Sequence, residues 1–248
     1  MKKAVIVAAK RTPVGSFLGS LSKVSAPQLG STVIRALLDE SGVPAEAVDE
    51  IIMGNVLTAA LGQNPARQAA IGAGIPVEVP ATTVNVVCGS GLYALQLAAQ
   101  AIACGDADIV IAGGQESMSQ APHTLSGMRN GQKFGNQTLV DSMVADGLTD
   151  SYQHYHMGIT AENVAEKLSI SREEQDAFAL RSQQRASAAD RADKFVDEIS
   201  PVIIPQRKGE PITVIRDEYI RHDADAASIA KLPPPFKKDG RLTAANAS

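Results

Sequence analysis

The sequence contains no tryptophan, only 4% aromatic residues and only two cysteines. A core without large rings must be filled by Val, Ile, Leu and Ala, which suits closely packed α/β layers. Two cysteines, Cys88 and Cys104, exclude a disulfide-stapled scaffold. An excess of positive charge is missing as well. The net charge of -4 argues against a general nucleic-acid surface or an anionic-membrane surface. From Ile203 onward, eight Lys or Arg face six acids, so a local basic face for a phosphorylated small molecule stays open beside the plainer reading of a mixed, solvated surface.

Charge disappears altogether between Glu78 and Asp106, long enough to raise a membrane span of ~20 residues. Pro80, Asn85, Gln96, Gln100 and three glycines fit a strand followed by a buried helix better. The start imitates a signal peptide, but the apolar run Ala4–Ala9 is short and is closed by Lys10-Arg11, so it reads as a first buried strand. A soluble, cytoplasmic protein is expected.

With 248 residues, one large domain or two modest ones are expected at ~150 residues per domain. Strand-like runs at Ala4–Ala9, Glu50–Gly54, Thr82–Val87 and Asp108–Gly113 alternate with helical stretches at Pro27–Ser41, Pro65–Gly72 and Cys88–Cys104. That alternation is the pattern of an α/β layer fold. From Ser117 to Val140 neither helical nor strand period persists, so a long loop is expected. Helix resumes at Ala161–Leu168, and Ser171-Arg172-Glu173-Glu174 has the form of a capping box opening a helix to about Ala192. Val202–Pro205 and Ile212–Ile215 flank Lys208-Gly209 as a hairpin, and Leu232-Pro233-Pro234-Pro235-Phe236 reads as a stiff connector.

Cys88 sits where the β-branched run Thr82–Val87 turns into a helix. Unpaired amides and the helix dipole at such a point favour a thiolate over a thiol. Gly89 and Gly91 let a substrate or another backbone approach, and the Cys88 amide could receive a thioester oxygen. The bland alternative is an inert buried thiol. A disulfide to Cys104 is excluded by about 24 Å of intervening helix, and Cys104 reads as a packing residue before Gly105. Gly89-Ser90-Gly91-Leu92-Tyr93-Ala94 also fits a dinucleotide-binding fingerprint, but the acid it needs is out of place: the nearest, Glu116, lies beyond a Gly-Gly turn. His154 and His156 are spaced to share a strand face as metal ligands, without further residues to complete a set.

Several segments together resemble the thiolase family. Val84-Asn85-Val86-Val87-Cys88-Gly89-Ser90-Gly91-Leu92 is similar to its acyl-enzyme cysteine segment. Arg11-Thr12-Pro13-Val14-Gly15, Gly54-Asn55-Val56-Leu57, Gln63-Asn64-Pro65-Ala66-Arg67-Gln68 and Gly113-Gly114-Gln115-Glu116-Ser117-Met118-Ser119 resemble further family segments in family order. The resemblance implies a thiolase-type layered α/β fold. Residues 1–117 would form most of an N-terminal domain and residues 118–248 an inserted loop domain for CoA binding and oligomer contacts. The family then completes its first sheet and adds a second half, with a Gly-His-Pro segment and a Cys-x-Gly-Gly segment. Neither motif occurs in these residues.

By the same resemblance, Cys88 carries the acyl group. Asp146-Gly147-Leu148-Thr149-Asp150 and Tyr155-His156-Met157-Gly158 line a short acyl pocket, which brings Leu148, His156 and Met157 to the substrate. Arg221 would pack on the CoA adenine, Ser228 would lie near it, and Phe236 and Ser248 would follow the pantetheine arm. Leu232-Pro233-Pro234-Pro235-Phe236 departs from the more usual Leu-Arg-Pro-Ala-Phe, and Ala245 stands where glycine is frequent. The implied activity is reversible condensation of two acetyl-CoA to acetoacetyl-CoA, with CoA thioesters as substrates, no cofactor and no metal. A homo-oligomer, dimer or tetramer, is implied, with neither nucleic acid nor membrane as partner. These residues alone would be inactive for want of the second cysteine and the histidine. A longer-chain 3-ketoacyl-CoA thiolase and a non-catalytic CoA-binding short form are the alternatives.

Overall fold

The computed structural model describes residues 2–247. Two compact units emerge: one runs to Gly147 and regains Glu198–Glu218, and the other comprises Leu148–Asp197 with the chain from Tyr219 onward. This division does not coincide with the boundary expected at residue 117.

The first unit is built on three parallel strands, β1 (Glu50–Gly54), β2 (Ala81–Val84) and β3 (Val110–Gly114), in the order β2-β1-β3. Four of the five β1 residues are buried, as a central strand covered on both faces requires. Successive β1 side chains point to opposite faces. Ile51 and Met53 pack with Ile34 of α1 (Ala26–Ser41) and with Ala66, Ala69, Ala70 and Ala73 of α2 (Pro65–Ala73). Ile52 faces Ala94 and Ala98 of α3 (Ser90–Cys104). Full burial of Ile34 and Ile51 contributes about 2 kcal/mol each. The alanine stripe of α2 lets its backbone lie close to α1, where the Ser31 hydroxyl donates to the Ala69 carbonyl.

Sequence expectations hold closely where the pattern is local. β1 has the expected bounds, and α1 opens with a capping box from Ser25 and Gln28 and ends at Gly42, whose φ is 67°. Three expectations need correction. Ala4–Ala9 belongs to no strand, and Val5, Ile6 and Val7 are 76%, 81% and 74% exposed. A β-branched run has strand propensity by itself, but pairing needs a neighbour in register, and none of the three sheet strands is one. Likewise α3 is not a buried helix: only Ser90, Ala94 and Ala98 are buried, because one stripe alone meets the sheet. Cys104 at its end is exposed, so it is not a packing residue.

The segment after β3 is irregular as expected, apart from 3-10 turns and a two-residue antiparallel ladder between β4 (His123–Thr124) and β5 (Val140–Asp141). The second unit holds α4 (Met157–Lys167) and α5 (Arg172–Arg191), the latter opened by the Ser171–Glu174 capping box. The expected hairpin pairs β6 (Val202–Ile204) with β7 (Ile212–Val214) antiparallel in the first unit, where Val202 packs on Leu21 and Val24. A short helix, α6 (Ala226–Ala230), follows in the second unit.

Candidate functional site

In the first unit, β2 ends at Val84 and α3 starts at Ser90, with Cys88 exposed on the turn between them. The turn holds Val87 at φ 55°, a left-handed conformation that a β-branched residue adopts only under constraint. The constraint is visible. Asn85 Oδ1 accepts from the Val87 amide at 2.9 Å, and the buried Ser90 hydroxyl accepts from the Val86 amide at 3.0 Å and donates to the Val87 carbonyl at 2.5 Å. Gly54 at the end of β1 lies against the start of α3, where a Cβ on it would fall 2.6 Å from Ser90 Cβ and 2.8 Å from the Gly91 nitrogen. Gly91 itself is less crowded, its nearest neighbour being the Gly114 nitrogen at 3.8 Å from a built Cβ.

The strand that carries this turn is held from α2. Asn64, the α2 N-cap, donates from Nδ2 to the Ala81 carbonyl at 2.9 Å, and its Oδ1 accepts from the Thr83 hydroxyl at 2.7 Å. Arg67 donates to the Val77 and Val79 carbonyls at 2.5 and 2.6 Å. Asn64 and Arg67 therefore anchor β2, the strand that leads into the Cys88 turn, and the segment before it. Arg11 does comparable work further along, pairing in bidentate fashion with Asp217 at 2.7 and 3.0 Å. Burial pushes the Asp217 carboxyl up, but hydrogen bonds from Arg11 and the Val14 amide outweigh this and hold it below its usual value of 3.8.

The sequence alone assigned Glu116 no role in the site. It follows Gln115 directly after β3, and its carboxylate accepts from Asn55 Nδ2 at 2.7 Å, the Val56 amide at 2.8 Å and the Leu57 amide at 3.2 Å. Burial raises this carboxyl above its usual 4.5, against the lowering effect of those three bonds. Its sequence signal was an acid placed at the C-terminal end of a parallel strand, where α/β sheets gather their functional groups.

In the second unit, His156 is the N-cap of α4: its Nδ1 accepts from the Gly158 amide at 3.0 Å. This bond requires an unprotonated Nδ1, so the neutral ring carries its hydrogen on Nε2. An antiparallel bridge between Thr149 and His156 closes the intervening turn, with Asp150 donating from its amide to the Tyr155 carbonyl at 2.9 Å. The imidazole stacks on Phe236, and the Phe236 ring covers the bare Cα of Gly158. His156, Met157 and Phe236 thus come together at the start of α4. Leu148, partly buried, ends a π-helical turn over Met143–Leu148.

Arg221 and Ser228 are exposed and held separately. The Arg221 amide donates to Gln183 Oε1 at 2.8 Å, while Ser228 caps back onto Asp225 within α6, amide to Oδ1 and hydroxyl to carbonyl, each at 2.9 Å. The chain beyond Phe236 is fastened by buried Glu162, which accepts from the Arg241 amide at 2.8 Å and the Leu242 amide at 2.9 Å. Ser248 lies outside the described residues.

Parallel strands covered by helices, with an exposed cysteine at a constrained strand-to-helix turn, define a layered α/β protein. The chain belongs to the thiolase family: residues 4–248 match the family described as thiolase, N-terminal domain. It is 66% identical over 246 residues to an acetyl-CoA acetyltransferase of Chromobacterium violaceum, covering 99% of this chain and 63% of that protein. It is 59% identical over 248 residues to an acetyl-CoA acetyltransferase of Pseudomonas aeruginosa, covering all of this chain and 63% of that one. A crystal structure of the Bacillus anthracis acetyl-CoA acetyltransferase superposes with a TM-score of 0.96 at 39% identity, covering 99% of this chain and 62% of that one. The chain thus spans less than two thirds of the length of these relatives.

Proposed function

We propose that this chain carries the nucleophile of an acetyl-CoA C-acetyltransferase. The observation that carries the proposal is Cys88, exposed on a turn between a parallel strand and the start of α3, in a chain of the thiolase family. The Cys88 thiolate attacks the carbonyl carbon of acetyl-CoA; the bond from that carbon to the CoA sulfur breaks, and CoA leaves as a thiolate that takes up a proton. A second acetyl-CoA, deprotonated at its α-carbon, attacks the Cys88 thioester, giving acetoacetyl-CoA and regenerating the Cys88 thiolate. Thiolysis is the reverse.

The base for the second step is not a cysteine of these 248 residues, because Cys104 closes the far end of α3. For that reason these residues by themselves are proposed to acylate without condensing. The same reading assigns Leu148, His156 and Met157 to a short acyl pocket and Arg221, Ser228, Phe236 and Ser248 to the CoA moiety, with no cofactor, in a cytoplasmic homo-oligomer. The test is incubation with acetyl-CoA, followed by intact mass measurement and peptide mapping. One acetyl group on Cys88, absent from Cys88→Ser, is expected; acetylation elsewhere or not at all would remove the nucleophile.

A further inference from the structure

We propose that Glu116 is a positioning residue that sets the Cys88 turn by holding the loop leaving β1. The geometry forms a continuous path within the first unit. The Glu116 carboxylate takes up three donors from consecutive residues: Asn55 Nδ2 at 2.7 Å, the Val56 amide at 2.8 Å and the Leu57 amide at 3.2 Å. Asn55, only 1% exposed, donates from its own amide to the Val84 carbonyl at 3.0 Å, at the last residue of β2. The next residue, Asn85, makes a long 3.5 Å contact from Nδ2 to the Val56 carbonyl and uses Oδ1 to accept from the strained Val87, directly before Cys88. From the other side, Gly54 lies against Ser90, whose hydroxyl bonds both Val86 and Val87. The loop held by Glu116 is therefore in contact with the nucleophile's turn at both ends of it.

A carboxylate is the group this loop requires. Its two oxygens together accept from three donors, whereas an amide offers one oxygen and would turn an N–H toward a backbone N–H. Burial works against that charge, since Glu116 titrates above its usual 4.5. A raised folded value means that its titration contributes stability below pH 4.5, and that this contribution is lost as pH rises through the folded value. The three donors select the carboxylate form against its burial cost, as expected of a group retained for geometry.

The inference rests on Cys88 being the nucleophile, and the test separates the two. Iodoacetamide alkylation of Cys88 and Cys104 is followed across pH by peptide mass spectrometry in the wild type, Glu116→Gln and Glu116→Asp, with circular dichroism and urea melts as folding checks. If wild-type Cys88 reacts no faster than Cys104, the nucleophile reading fails first. Given a wild-type preference, both variants should slow Cys88 by roughly tenfold near neutral pH and move its pH profile upward, leaving Cys104 unchanged. A purely electrostatic role has the opposite sign, because removing a nearby negative charge makes a thiolate easier to form. Faster or unchanged Cys88 alkylation in Glu116→Gln would overturn the proposal, as would retention of wild-type kinetics in Glu116→Asp, which keeps the charge but loses the reach. Failure of both variants to fold would overturn it too, since a residue the whole fold requires is not a device for one turn.

Discussion

The imidazole of His156 lies nearly parallel to the ring of Phe236, with centroids 4.9 Å apart and planes inclined by 21°. One ring therefore does two jobs: its Nδ1 caps α4 and its face supports Phe236. The jobs can be separated. His156→Leu removes both and should cost about 1–2 kcal/mol from the lost cap. His156→Asn retains a good capping side chain but no ring, so stability should stay near wild type while, on the proposed function, thiolysis of acetoacetyl-CoA falls. Urea melts together with steady-state thiolysis read the split. Equal loss of stability in both variants would show that the cap is not what His156 contributes.

Gly54 and Gly91 both lie beside the Cys88 turn, yet they should respond differently to alanine. A Cβ at Gly54 would meet the Ser90 carbonyl carbon at 2.7 Å and the Gly91 nitrogen at 2.8 Å, backbone atoms that cannot turn aside. Gly54→Ala should therefore displace the start of α3 and destabilise by about 1–3 kcal/mol. At Gly91 the nearest atom is 3.8 Å away, and alanine in a helix should be neutral or stabilising by about 0.5–1 kcal/mol. Chemical denaturation of the two variants decides the point; similar midpoints would mean that the approach of β1 to α3 is not tight.

Both cysteines are exposed, so exposure cannot separate their reactivity. Position on α3 can. Cys88 lies on the constrained turn before the helix start, while Cys104 is the last residue of the helix. Iodoacetamide at neutral pH should label Cys88 several-fold faster, and the difference should vanish in urea. Equal native rates, read by peptide mass spectrometry, would contradict the expectation.

Arg11 and Asp217 supply a pH dependence of known sign. The Asp217 carboxyl is held below its usual 3.8, so its stabilisation is complete above that value and is lost as pH falls through the lower folded one. Asp217→Asn should lower stability at neutral pH and flatten the acid limb of the stability–pH curve below about pH 4. Urea midpoints from pH 2 to 7 measure it. An unchanged acid limb would show that other carboxylates govern acid unfolding.

Patterns confined to a few neighbouring residues determined much of this protein from its sequence. Glu50–Gly54 is a strand because five residues of fitting composition lie between turn signals, and Ser171 with Glu174 opens a helix because the two side chains satisfy each other's free amides. Cys88 was placeable for the same reason, at a local change from strand to helix. Tertiary structure decided what depends on distant residues. Ala4–Ala9 has a strand's composition but no partner in register, and α3 has a buried helix's composition but only one covered stripe. Glu116 reads as an ordinary acid until the fold brings Asn55, 61 residues earlier, to within 2.7 Å of it. Arg11 likewise acquires its meaning from Asp217, 206 residues later. Periodicity records which face of an element is apolar. It does not record which element will cover that face, nor which donors will converge on a carboxylate, since those partners are chosen by packing rather than by spacing.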